Sequence, residues 1–231
     1  MPRLPLEVKQ EAWEQVGYVP TDGMAEIHES EAQHVLILGG IGASKSFGNS
    51  HELWPHLSIG PIKLGETYTP RLYWLVGPEY EDCRAEFTYL YNLADATGIL
   101  GKYAFPEEGK CYFETTTGAR VETRSGDNPG KCMAGRGPAG IIWCEMGRIT
   151  KKLFERGLSR LARSEDGMEG WSIGGGVIED SLPWFLEMFE TGQDQPNEYD
   201  LDSFNIPSWD NEFTFPLGRN DPKILRLERG L

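Results

Sequence analysis

The feature that most constrains this chain is a short apolar run followed by a glycine-rich turn and a Lys-Ser pair. The run, Val35-Leu36-Ile37-Leu38, predicts a buried strand, and a helix is expected to begin at Lys45. Between them lies the turn Gly39-Gly40-Ile41-Gly42-Ala43-Ser44, and Ser46 directly follows the lysine. A strand, a glycine-rich turn and a helix in this order form the layout of a phosphate-binding loop, or P-loop.

In a P-loop, backbone N–H groups surround a polyphosphate, the lysine reaches the β- and γ-phosphates, and the hydroxyl ligates Mg²⁺. Residues 39–46 are therefore predicted to bind ATP, with Lys45 on the phosphates and Ser46 on the metal. The match is degenerate, because Ser44 stands where such loops usually have glycine. An ordinary strand–turn–helix unit would also fit the loop taken alone, but the buried strand before it favours phosphate binding.

A second apolar strand is predicted at residues 140–144, and it ends in Glu145. In P-loop ATPases with a catalytic glutamate, such a strand carries an acidic pair, one residue for Mg²⁺ and one to polarise the attacking water. Here Cys144 occupies the aspartate position and Glu145 the catalytic position. We expect this strand to lie beside the strand of the P-loop. A buried strand with an exposed acidic end is the alternative interpretation.

Length and composition limit the class of protein. A chain of 231 residues can form one large α/β domain with a real core, or two small domains. No stretch approaches a membrane span or the apolar core of a signal peptide, which predicts a cytosolic protein without a membrane partner. Cys83, Cys111, Cys132 and Cys144 form no C-x-x-C pair, so we expect buried free thiols rather than zinc or a disulfide framework.

Charge is distributed unevenly along the chain. The net charge of −14 argues against a nucleic-acid partner, since phosphate backbones bind basic surfaces. Residues 120–163, however, hold ten of the 22 basic residues and only four of the 36 acidic ones, which is compatible with one localised anionic partner. In this window Lys152, Arg156, Arg160 and Arg163 share one face of a predicted helix. These four are candidate DNA contacts, although most such faces are only solvated.

Alternating strands and helices are predicted along most of the chain, which implies βαβ units and a mainly parallel sheet flanked by helices. Helices are expected near residues 6–16, 45–57, 82–97, 150–164 and 183–191, strands near 35–38, 71–78, 140–144 and 171–174, and a hairpin over 112–115 and 119–123. Residues 17–30 are rich in turn formers. After Gly192 the chain is acidic and proline-rich, so the core is expected to end near residue 195, before an irregular lid or linker over 196–231.

Several segments besides the P-loop follow one another in an order typical of one family. They are residues 75–80 with Arg84, 124–129, 135–137, 141–145, 172–176, Trp184 with Phe185, 192–193, 205–207 and 215–222. Together with residues 39–46 they resemble the ATPase domain of the large terminase subunit of tailed double-stranded DNA phages, the motor that pumps DNA into the prohead. The resemblance covers nearly the whole chain and implies one ASCE-type P-loop NTPase domain over residues 1–231.

The resemblance also implies a function and partners. It implies an ATP-hydrolysing motor domain that uses ATP and Mg²⁺ to drive double-stranded DNA into the prohead, in the host cytoplasm. The expected protein partners are the portal protein and the small terminase subunit, with a homo-oligomeric ring when assembled and a monomer in dilute solution. Family members usually continue into an RNase H-like nuclease domain, which we expect to be absent from this chain because the sequence stops at Leu231.

Individual site residues follow from the same resemblance. Gln10 matches an adenine-reading glutamine upstream of the P-loop, although a solvent-facing glutamine is the alternative. Ile41 stands where the family often has an arginine, so the positive charge at the γ-phosphate needs another source. Arg136, between two glycines, is the candidate arginine finger that reaches a neighbouring subunit's γ-phosphate, the alternative being an arginine in a flexible loop.

The metal site departs from the family pattern at one position. Cys144 is a poor ligand for a hard cation such as Mg²⁺. The metal would then rest on Ser46, the phosphates and water, with Glu145 close by. Three classes of function stay open: a DNA-translocating ATPase, a nucleotide-binding module with weak or no hydrolysis, and an unrelated α/β protein such as a kinase-like phosphotransferase.

Overall fold

A central sheet of eight strands organises the computed structural model, which describes residues 2–59, 63–64, 67–68, 71–162 and 169–228. The strands are β1 His34–Gly39, β2 Lys63–Leu64, β3 Thr67–Tyr68, β4 Arg71–Gly77, β5 Leu100–Ala104, β6 Tyr112–Thr115, β7 Ala119–Ser125, β8 Gly140–Trp143, β9 Trp171–Gly176 and β10 Leu201–Ile206. The order across the large sheet is β10-β1-β9-β8-β4-β7-β6-β5, and β2 pairs only with β3. From β10 to β7 all neighbours are parallel, whereas β6 and β5 extend the sheet in antiparallel fashion. The predicted mainly parallel sheet is confirmed.

Helices cover both faces of this sheet. They are α1 Leu6–Glu14, α2 Asp22–Glu29, α3 Lys45–Ser58, α4 Arg84–Ala96, α5 Pro129–Cys132, α6 Lys151–Leu161, α7 Pro183–Thr191 and α8 Pro222–Glu228. The first four pack on one face, where Ile37 of β1 meets Trp54 of α3 and Phe87 of α4 in one core cluster. On the other face, Trp143 of β8 shares a second cluster with Phe154 of α6. Strands buried on both faces explain why their sequences are continuously apolar rather than alternating.

The position of β9 corrects one prediction. We expected the strand that precedes Glu145 to lie directly beside the P-loop strand, but β9 lies between β8 and β1 and pairs with both. The two site-bearing strands are therefore separated by one strand, and both still end at the same edge of the parallel sheet. Glycines in β9 permit close packing on its neighbours: a Cβ on Gly174 would lie 2.6 Å from the Cβ of Trp143 in β8, and one on Gly175 would lie 3.0 Å from the Lys45 side chain.

The C-terminal region corrects another prediction. Residues 201–206 were expected to lie in an irregular lid or linker, but they form β10, which pairs in parallel with β1 along its whole length. The core therefore does not end near residue 195. Local composition did not indicate this strand. Its polar residues, such as Asp202 and Asn205, suit an edge strand that is only partly buried, and they interrupt the apolar pattern of a core strand. Helix α2, within the turn-rich residues 17–30, and strand β5 were also not predicted.

A buried group of charges fixes the N-terminal segment against α3. Glu52 of α3 is fully buried and forms ion pairs with Arg3 at 3.0 Å and Lys9 at 2.7 Å, and His28 lies 2.7 Å from its other oxygen. Burial alone would raise the pKa of Glu52, but the Arg3 charge, the His28 hydrogen bond and the Lys9 charge outweigh it and hold this pKa well below its ordinary value. These bonds anchor the helix that begins at the P-loop. Among the described residues, no helix combines the length and the apolar character that a membrane crossing requires.

Candidate nucleotide-binding site

The predicted P-loop forms the wall of a large cavity at the carboxyl edge of the sheet. Strand β1 ends at Gly39, the chain turns through residues 40–44, and α3 begins at Lys45. Residues 41–48 line a cavity of about 1040 Å³, and Glu145 lines it from the end of β8. Lys45 and Glu145, a hundred residues apart in the sequence, therefore lie at one site. The N-terminus of a 14-residue helix at this site favours an anion, because its N–H groups and dipole point into the cavity.

Lys45 is held over its own loop. Its Nζ donates hydrogen bonds to the carbonyl oxygens of Gly39 and Gly40, both at 2.8 Å. Burial lowers the pKa of Lys45, and the charges of Glu145, Glu179 and Glu86 act in the opposite direction. An incoming phosphate would replace neutral carbonyl partners with charged oxygens, which form stronger hydrogen bonds with an ammonium group.

Ser44 occupies the backbone conformation that explains why other P-loops have glycine there. Its φ of 65° and ψ of 17° lie in the left-handed region, immediately before the first residue of α3. Such a conformation is unfavourable for a residue with a Cβ atom. In the described part of the chain the Ser44 side chain makes no capping hydrogen bond that would compensate. The degenerate position thus keeps the P-loop shape at a cost in conformational energy.

We predict that Ser44→Gly raises the free energy of unfolding by about 0.5–1 kcal/mol, because glycine adopts positive φ without the Cβ penalty, less its larger loss of chain entropy. Chemical denaturation measures the difference. Ser159→Gly is the matched control: Ser159 lies within α6 and is exposed, so its replacement should lower the free energy of unfolding by about 0.5–1 kcal/mol. Destabilisation by Ser44→Gly would contradict the role assigned to this backbone position.

Glu145 has an unusual backbone conformation at the tip of β8. Its φ of 47° and ψ of 49° are left-handed, and its side chain is half-buried and lines the cavity. Strained backbone at a residue that lines a cavity is typical of functional sites, where the surrounding structure holds the residue in place. The turn aims a carboxylate at the region that Lys45 and Ser46 also line.

Cys144 lies under the cavity rather than in it. The residue is buried and its pKa is raised well above the ordinary value by burial, with further contributions from Cys83 and Glu86. The thiol is therefore neutral at physiological pH. A neutral buried thiol does not provide the charged oxygen ligand that Mg²⁺ prefers.

The structure also brings residues to the cavity that the sequence did not single out. Arg148 lines it beside Glu145 and donates a hydrogen bond of 3.0 Å to Asp82, which lines it as well. Exposed apolar side chains, Val19, Ile41 and Phe213, lie on its rim and provide a surface for an aromatic base. The spacing Glu145-x-x-Arg148 was the only sequence signal for the arginine, since three residues span one turn of the short helix that follows β8.

The C-terminal segment contacts the P-loop directly. Asn211 Nδ2 donates a hydrogen bond of 2.7 Å to the carbonyl oxygen of Gly42, and the ring of Phe215 packs against the same glycine. Gly42 has a φ of 77°, which together with this packing leaves no room for a side chain. Residues beyond 206 therefore form part of the site wall.

Other predicted site residues lie elsewhere. Gln10 is exposed on α1 and does not line the cavity, so the structure does not bring it to a bound base there. Arg136 is half-buried in the segment before β8 and does not line the cavity of its own chain either. Lys152 and Arg156 are exposed on α6 and Arg160 is half-exposed, opposite the buried residues of that helix. Arg163 lies outside the described residues.

Magnesium fits this site only with help from a nucleotide. Among the described residues, no group of three or more His, Cys, Asp or Glu side chains is arranged to hold a metal ion. The Ser46 hydroxyl and the Glu145 carboxylate are oxygen donors of the kind that Mg²⁺ accepts, and it commonly completes its shell with phosphates and water. The donor set therefore suits a metal that arrives with a nucleotide.

The fold and the site geometry together define the class: the chain has the P-loop NTPase fold, with an eight-stranded, mainly parallel sheet flanked by helices. Within this class it is similar to the ATPase domain of the large terminase of Thermus phage P74-26, with a TM-score of 0.66 and 18% identity over 93% of this chain and 90% of that one. The resemblance drawn from the sequence is thus confirmed at the level of the fold.

Two structures with longer chains extend this comparison. A large terminase of a thermophilic bacteriophage in complex with ADP matches with a TM-score of 0.58 and 14% identity, over 98% of this chain and 49% of that one. The large terminase of bacteriophage HK97 matches with a TM-score of 0.58 and 11% identity, over 81% and 39%. This chain thus spans about half the length of the first of these terminases and less than half the length of the second. A comparison with protein-family models gave no match, and neither did one with curated protein sequences.

Proposed function

We propose that this chain is the ATPase motor domain of a phage large terminase, which hydrolyses ATP to drive double-stranded DNA into a prohead. The observation that carries the proposal is that Lys45, Ser46 and Glu145 line one cavity at the carboxyl edge of the sheet. Phosphate binding, metal binding and water activation need these three groups at one place. The terminase fold supports the biological setting.

In this proposal ATP and Mg²⁺ are the ligands. The N–H groups of residues 40–45 and the Lys45 ammonium bind the phosphates, and the Ser46 hydroxyl binds the metal. Glu145 orients the attacking water. The ADP complex of a terminase with the same fold supports a nucleotide as the ligand. Bound magnesium would supply charge neutralisation at the phosphates.

The assembly and partners are also proposals. A ring of copies would work with a portal protein and a small terminase subunit in the host cytoplasm, and α6 would present Lys152, Arg156 and Arg160 to DNA. The outward position of these side chains supports a contact with an anionic surface. We propose one ATPase domain over residues 1–231, with the core continuing through β10.

A nucleotide-binding module with weak or no hydrolysis is the second candidate, and Cys144 is the observation that favours it. The neutral thiol removes one negative charge from the usual metal site. Release of inorganic phosphate from ATP separates the candidates. The motor hydrolyses ATP in an Mg²⁺-dependent way and double-stranded DNA raises the rate, whereas the binding module shows nucleotide affinity without phosphate release. ATP binding without release of phosphate would therefore overturn the motor proposal.

We predict that Arg136 acts between subunits. Because Arg136 does not line the cavity of its own chain, it could reach a γ-phosphate only in a neighbouring copy. The rate per subunit should therefore rise with protein concentration, by about tenfold even on partial assembly, since a complete arginine-finger contact is worth more than that. Arg136→Ala should remove the rise.

Mixing variants tests the same claim. A mixture of Arg136→Ala and Glu145→Gln subunits should regain part of the activity, because each copy supplies the group that the other lacks. Arg148 is the competing source of positive charge, since it lines the cavity of its own chain. Three results together would assign the positive charge to Arg148 instead. The mixture would be inactive, the wild-type rate would not depend on protein concentration, and Arg148→Ala would abolish activity.

A further inference from the structure

Cys144 leaves the tip of β8 without the carboxylate that accompanies Mg²⁺ in P-loop ATPases. Its buried thiol is neutral, and Cys83 and Glu86 both lie close enough to affect it. Oxygen-bound magnesium sites need negative charge near the metal. In this chain Glu145 and the phosphates would provide such charge, and a second carboxylate near the metal would have to come from another element.

Glu86 of α4 is a buried carboxylate next to this position. Its exposed fraction is 3%, and its Oε2 atom has no hydrogen-bond partner among the described residues. A buried polar atom without a partner is costly and is typical of a site that is completed by a ligand or a rearrangement. Burial raises the pKa of Glu86, whereas hydrogen bonding with Ser46 and Cys144 opposes this rise. The carboxylate therefore lies between the P-loop serine and the substituted strand-tip residue.

Hydrogen bonds hold the backbone around Glu86 against α3 and β4. Ser50 Oγ donates to the carbonyl oxygen of Ser46 at 2.8 Å and lies 3.4 Å from that of Glu86, so the first turns of α3 and α4 are tied together. Cys83, three residues before Glu86, donates from Sγ to the carbonyl oxygen of Leu75 at 3.3 Å. This bond ties the start of α4 to β4, the direct neighbour of β8.

We propose that Glu86 is a positioning residue that replaces the missing aspartate. It accepts a hydrogen bond from the Ser46 hydroxyl and directs the Ser46 oxygen towards Mg²⁺. Ser46 and Ala85 line the cavity while Glu86 lies behind them, so Glu86 acts through Ser46 rather than on the nucleotide. The inference rests on the proposed nucleotide-binding function. Groups behind a metal ligand orient it and tune its affinity whichever element carries them.

The test is calorimetric binding of AMP-PNP, a non-hydrolysable ATP analogue, with Mg²⁺ and with EDTA. Wild-type protein should bind more tightly with Mg²⁺. Glu86→Gln, which keeps the size of the side chain, should weaken binding with Mg²⁺ by about tenfold or more and leave binding in EDTA unchanged. Adding Cys144→Asp to Glu86→Gln should restore the gain from Mg²⁺, because it returns a carboxylate to the strand tip. Glu81→Gln, an exposed neighbour on the same segment, is the matched control and should change neither affinity.

The outcomes separate this inference from the proposed function. Absence of AMP-PNP binding by the wild-type protein would overturn the proposed function and the inference with it. If the wild-type protein binds AMP-PNP more tightly with Mg²⁺ and Glu86→Gln shows the same increase in affinity, the inference alone is overturned. Equal weakening of Glu86→Gln in Mg²⁺ and in EDTA would show a merely structural role and would also overturn it. Binding in EDTA reports an intact P-loop in each variant.

Discussion

Glu145→Gln is expected to reduce ATP turnover by about 10²–10⁴-fold while nucleotide affinity changes little. The glutamine keeps the shape of the side chain at the tip of β8 but loses the charge that would polarise the attacking water. Because Glu145 lines the cavity without contributing to the P-loop itself, binding should survive. Steady-state phosphate release and calorimetric ATP binding measure the two quantities on the same preparation.

Glu155→Gln is the matched control for this prediction. Glu155 is exposed on α6 and does not line the cavity, so its substitution should leave both quantities unchanged. A Glu145→Gln protein that hydrolyses ATP at the wild-type rate would place the catalytic carboxylate elsewhere.

Lys45→Ala is expected to lower ATP affinity by about 100-fold or more, because truncating one partner of a hydrogen-bonded charge pair removes several kcal/mol of binding free energy. Turnover should fall with it. The fold should persist, since the ammonium group bonds only to the carbonyl oxygens of Gly39 and Gly40 within the described residues. Circular dichroism and calorimetry distinguish loss of binding from loss of folding.

Lys151→Ala provides the comparison for Lys45. Lys151 is exposed at the start of α6 and does not line the cavity, so its loss should not affect ATP affinity. Wild-type affinity in a folded Lys45→Ala protein would contradict the assignment of residues 39–46 as a P-loop.

The sequence was sufficient for the elements whose signals are local. The apolar run before Gly39 predicted β1, and α7 was predicted over residues 183–191 because its apolar periodicity follows Pro183 directly. Strand β10 was not predictable in this way, since what makes residues 201–206 a strand is pairing with β1 more than 160 residues earlier. The insertion of β9 between β1 and β8 has the same cause: strand order is a property of the whole sheet.

The candidate site likewise contains residues that local motifs predict and residues that only the fold brings there. Lys45, Ser46 and Glu145 carry motif signals, and the structure brings all three to one cavity. Arg148 and Glu86 carry no motif, and their relation to the site follows from the folding of a turn and a helix against it. Gln10 stays a prediction: it matches a position upstream of a P-loop, but it is exposed on α1 and does not line the cavity.

Phosphate release from Mg²⁺·ATP by the wild-type chain, measured in parallel with Lys45→Ala, tests the central claim most directly. The account predicts hydrolysis by the wild-type protein that rises with double-stranded DNA and is absent from the folded Lys45→Ala protein. Equal release by both proteins, or no release by the wild-type protein at any concentration with or without DNA, would contradict it.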